Sequence, residues 1–128
     1  DTGLLRAIGF SFSPNTGKLL ENLVFLALRR RTTAIHYLTT PAGYEIDFYL
    51  PETRQLIQVS QNMAQPATRA REVRALADAM RGLGATQGLI LTESEGPPIV
   101  EAGMTIEVRA LATWLLQEEA ASPDNRTN

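Results

Sequence analysis

In the stretch "GYEIDFYLPETRQLIQVSQ", residues 43–61, three polar side chains stand among apolar ones: Asp47, then Gln58 and Ser60 two residues apart. An aspartate on one strand, followed by an i, i+2 polar pair on the next, resembles the way a sheet presents ligands to a hard divalent cation such as Mg²⁺ or Mn²⁺. Phosphodiester hydrolysis uses such a cation to polarise the phosphate and to generate hydroxide from water. A positively charged side chain nearby stabilises the charge that develops in the transition state. Asp47 supplies one carboxylate to this scheme. Gln58 keeps a carbonyl oxygen without the charge, and Ser60 offers no cation. Removing one preorganised donor costs on the order of 10²–10³ in rate. The pattern therefore predicts weakened catalysis and leaves metal binding through the remaining carboxylates open.

Two residues of the first helix extend the set. Glu21 reaches the same sheet face if that helix packs across the sheet end. Lys18, the only lysine, lies three residues earlier on the same helical side and could replace the missing cation. A plainer reading makes Asp47 a polar residue on the wet face of a hairpin, with Glu21 paired to Lys18. Arg69, Arg71 and Arg74 open a second helix, and with Arg29–Arg31 they are candidates for a basic patch against nucleic-acid phosphate. The alternative is a solvated charged face. "NTGK" at 15–18 is no phosphate loop, because Phe12 and Leu19 stand where a glycine and a Ser/Thr are required. No ATP site is expected in this chain.

The elements that must position these residues follow from periodicity. "SPNTG" offers Ser13, Asn15 and Thr16 as helix caps after an apolar lead-in, residues 1–13. From Lys18 to Arg31, leucines and alanines at three- and four-residue spacing predict a helix with a broad apolar face, closed by three arginines. "AIHYLTT", "YEIDFYL" and "LIQVSQ" read as strands. Strict alternation puts Ile46, Phe48 and Leu50 on one face and Glu45, Asp47 and Tyr49 on the other. With antiparallel pairing through the 51–55 turn, Gln58 and Ser60 are expected on the Asp47 face. "PATRAREVRALADAMRGLG" predicts a second helix, begun by Pro66 and stopped by Gly82 and Gly84. "TQGLILT" predicts a buried strand, "GPPI" a loop, "MTIEVRAL" a strand and "ALATWLLQEEAA" a closing helix.

The 128 residues suffice for one domain, expected over 1–121, with a disordered tail at 122–128. No apolar run approaches the ~20 residues that span a bilayer, so no membrane partner is expected. The absence of cysteine excludes disulfides and thiolate metal sites, and it fits a reducing, cytoplasmic setting. A net charge of −2 means that any nucleic-acid binding would need a local patch.

Taken in order, "DTGLL", "GKLLENLVFLAL", "GYEIDFYL", "LIQVSQ", "TRAREVRAL" and "GLILT" resemble the C-terminal domain of a family of prokaryotic AAA-type ATPases, the DUF4143 type, over residues 1–92. The resemblance implies an α/β, restriction-endonuclease-like core of the PD-(D/E)XK class: a mixed central sheet flanked by helices. It also implies an ATPase domain N-terminal to this one, in keeping with a chain that starts at Asp1 without Met. Active members of the wider fold carry an acid on the first helix, an aspartate on the second strand and (D/E)-x-K on the third. Glu21 and Asp47 match the first two, while Gln58 and Ser60 stand at the acid and lysine positions. The expectation is a non-catalytic accessory domain with a degenerate site, contacting protein or nucleic acid. The competing expectation is a weak Mg²⁺- or Mn²⁺-dependent nuclease using Glu21, Asp47 and Gln58 as ligands.

Overall fold

The structure, a computed structural model, describes residues 17–121; the lead-in, the capping residues Ser13, Asn15 and Thr16, and the 122–128 tail lie outside this range. Helix α1, Gly17–Arg29, buries Leu20, Val24, Ala27 and Leu28, the spacing that keeps one stripe against a sheet. The buried stripe is narrower than the leucine content suggests, because Leu19 and Leu26 face outward. Three strands follow: β1 (His36–Thr39), β2 (Glu45–Leu50) and β3 (Gln55–Val59), paired as an antiparallel meander. Helix α2, Pro66–Leu83, then crosses over so that β4 (Gln87–Thr92) lies parallel to β3. The hairpin β5 (Gly96–Glu101) and β6 (Met104–Ala110) leads directly into α3, Leu111–Ala121.

The six strands form one mixed sheet in the order β1-β2-β3-β4-β6-β5. Two apolar clusters flank it. One joins α1 and α3 to Phe48, Leu50, Ile57, Leu89 and Leu91, with Trp114 among them. The other joins α2 to Ile46, Leu56, Ile90 and Ile106. Residues 88–92 of β4 are buried throughout, as a central parallel strand covered on both faces requires. No described helix is long and apolar enough to cross a membrane.

Three local expectations are corrected. "GPPI" belongs to strand β5, not to a loop. At the edge of the described sheet, β5 pairs with β6 alone among the described residues, and its register shifts between Gly96 and Ile99, where Pro97 and Pro98 have no N–H to give. Gly82 lies within α2, and Gly84 alone ends the helix. At φ 68° Gly84 occupies the left-handed region, its N–H reaches the Arg81 carbonyl, and the Ala85 N–H reaches that of Met80 at 2.9 Å. Gly84→Ala is expected to lower unfolding free energy by about 1 kcal/mol without altering the fold, read as a lower urea midpoint at unchanged slope.

The third correction concerns β2. Ile46 pairs with Leu38 and Tyr49 with His36, so Tyr37 alone faces both Asp47 and Phe48. This extra residue is a β-bulge, and it breaks the alternation. Ile46 therefore packs on the α2 side, whereas Phe48 and Leu50 pack on the α1 side.

Candidate functional site

The bulge decides where Asp47 goes. With Glu45 and Phe48 it lines a groove whose other wall is α1, contributing Lys18, Glu21 and Phe25. Glu21 thus meets Asp47, as expected of a first helix packed across the sheet end, and Lys18 stands at the same groove.

Gln58 and Ser60 do not follow Asp47. By the alternation of β3 they point with Leu56 toward α2, and they are only 4 % and 6 % exposed. The single sheet face expected to carry all three residues is not formed. The β2–β3 register runs from Leu50 opposite Gln55 to Phe48 opposite Ile57, and side chains take over beyond it. The Asp47 N–H donates to Gln58 Oε1 at 2.7 Å, and Gln58 Nε2 donates to the Glu45 carbonyl at 3.1 Å. In return, the Val59 N–H donates to Asp47 Oδ2 at 2.8 Å. The primary amide of Gln58 therefore behaves as an inserted peptide group, satisfying one donor and one acceptor of β2 where the bulge interrupts the ladder. Its second amide hydrogen reaches Glu72 Oε2 on α2 at 3.0 Å.

Glu72 was not among the candidate acids, yet it approaches the others from α2. Its charge acts on Asp47, and with Glu21, Ser60 and Arg71 it lines a cleft at the end of β3. The available signal was its place as the one acid among Arg69, Arg71 and Arg74 in the opening of α2.

Burial is the main reason that the Asp47 carboxyl is raised from 3.8 to about 7; the Val59 N–H opposes the shift, and the charges of Glu21 and Glu72 add to it. Glu72 is raised as well, chiefly by burial, with Arg71 and Gln58 pulling the other way. Among the described residues no group of three or more His, Cys, Asp or Glu side chains is placed to hold a metal ion. The Gln58 amide is committed to β2 and α2.

The arginines also separate. Arg69, Arg71 and Arg74 are exposed at the start of α2, with Arg71 3.6 Å from Glu72. Arg31, just past α1, lies 3.5 Å from Glu118 and donates to Gln55 at 3.2 Å, near the opposite end of β3. With α1 and α2 on opposite faces of the sheet, the two groups do not form one basic patch.

This chain is similar to the uncharacterized protein MJ1544 of Methanocaldococcus jannaschii, with 39 % identity over 77 residues, or 57 % of this chain and 17 % of that protein. The chain thus corresponds to a small part of a much longer relative. No family model matches it, and no solved structure matches it.

Proposed function

We propose that this chain is a non-catalytic interaction domain with a restriction-endonuclease-like core, serving a larger AAA-type ATPase polypeptide. The order helix, three-strand meander, crossover helix and parallel strand supports that core, since it sets Glu21, Asp47 and Gln58 on the first helix, second strand and third strand of the described residues. The ATPase link rests on the ordered motifs of residues 1–92. One observation carries the absence of catalysis. The residue at the second-acid position is a buried amide whose carbonyl oxygen and both amide hydrogens are engaged in holding β2 to β3 and α2. At the lysine position stands buried Ser60, which has no charge to give.

Titrating the protein with Mn²⁺ by calorimetry, beside Asp47→Ala, tests this reading without guessing a substrate. The expected result is no site-specific heat in either protein. Binding that disappears in Asp47→Ala would overturn the reading and put the nuclease alternative first.

A further inference from the structure

We propose that the groove between α1 and the β1–β2 strands receives an arginine side chain from a basic segment of a protein partner, with Phe25 and Tyr37 as its aromatic walls and Glu21 and Glu45 as its counter-charges. The inference deepens the reading of the domain as an interaction module and rests on it.

The groove encloses about 650 Å³ and is lined from α1 by Lys18, Glu21 and Phe25, and from the strands by Tyr37, Glu45 and Asp47. Two aromatic residues line it, Phe25 from α1 and Tyr37 from β1, and neither is buried: Phe25 is 38 % exposed and Tyr37 is 60 % exposed. Rings left open on both sides of a groove offer π-faces to a ligand. The carboxyl groups outnumber the single ammonium three to one, which repels phosphate and favours a cation. The Glu45 carboxylate is close enough to raise the Tyr37 hydroxyl above its ordinary range, which places one ring beside one carboxylate.

The shape of the cation follows from this pairing. A compact divalent ion needs converging oxygen ligands, and no such group is present among the described residues. A guanidinium is flat, stacks on aromatic faces and bonds carboxylates in its own plane, which matches rings and acids arranged around one groove. The outer rim of the groove is β1, which among the described residues pairs with β2 alone. Among the described residues its other edge has no partner strand and so offers backbone groups to an extended peptide, and unlike β5 it contains no proline.

The test measures fluorescence anisotropy of a labelled short peptide of alternating arginine and serine, in EDTA and at low salt, beside the same peptide with neutral citrulline for arginine. The arginine peptide is expected to bind, and the citrulline peptide roughly tenfold more weakly. Tyr37→Ala and Glu45→Gln are each expected to weaken binding about five- to tenfold, and Tyr37→Phe to retain most of it. Both positions are exposed, so the fold is expected to survive, which circular dichroism checks. Glu107→Gln, an exposed acid elsewhere on the sheet, is expected to change nothing. No binding, equal binding of the citrulline peptide, or indifference to Tyr37→Ala and Glu45→Gln would overturn the proposal. EDTA separates this result from the Mn²⁺ titration. A protein that binds Mn²⁺ and also takes the peptide loses the non-catalytic reading and keeps the groove, whereas one that binds neither keeps that reading and loses the groove.

Discussion

Gln58→Glu is expected to lower unfolding free energy by about 3 kcal/mol at pH 7, although it restores the acid of a nuclease motif. The substitution is nearly isosteric, so packing is not the cause. A carboxylate still accepts from the Asp47 N–H, but it has no hydrogen for the Glu45 carbonyl or for Glu72 Oε2. It also sets a negative charge against Glu72 in a site only 4 % exposed. The sign with pH follows from linkage. Burial raises the introduced carboxyl in the native state above its unfolded value, so the native protein holds a proton that the unfolded chain releases. The penalty is therefore smallest below about pH 4 and grows as pH rises through neutrality. Urea unfolding followed by the fluorescence of Trp114, the only tryptophan, reads both effects. A variant as stable as the parent at pH 8 would refute the role assigned to the Gln58 amide.

Asp47→Asn is expected to act in the opposite direction. The native Asp47 carboxyl is raised from 3.8 to about 7, so its contribution to stability is most favourable below pH 3.8 and is lost as pH climbs through 7. A shift of this size corresponds to at most about 4 kcal/mol, and partial solvent access and relaxation reduce the expected effect to about 2 kcal/mol. Asparagine keeps an oxygen for the Val59 N–H and carries no charge beside Glu21 and Glu72. The variant should therefore match the parent near pH 4 and exceed it by about 2 kcal/mol at pH 8. Parallel pH profiles for the two proteins would show that Asp47 is not the group responsible.

The two substitutions separate the roles of neighbouring polar residues. Gln58 is retained for its donors, which no carboxylate can replace. Asp47 is held at a cost in stability, the usual condition of a side chain whose position serves something other than folding. The groove proposed for an arginine side chain gives that position a use without a metal.

Much of the scaffold could be read locally. The Leu20, Val24 and Leu28 stripe and the continuous apolar run of β4 appear in the sequence because burial repeats with the period of the element itself. Glu21 and Asp47 could likewise be placed on one groove from the expected packing of a helix across a sheet end. Strand β5 could not be recognised from its residues, since two prolines argue against a strand and only pairing with β6 at a sheet edge overrides them.

The composition and order of residues by themselves determined an α/β domain with no thiol chemistry and no lysine at the end of β3. Tertiary structure decided which side of the sheet each polar residue faces. One unmatched residue in β2 turns Asp47 toward α1 while Gln58 and Ser60 stay toward α2, and that mismatch exists only when β1 and β2 are laid side by side. The role of Gln58 likewise depends on partners 11 to 14 residues away, on another strand and on a helix. Local patterning encodes burial, but the register between strands and the approach of helices set which polar groups meet, because hydrogen bonds and charges act over distances that only the folded chain defines.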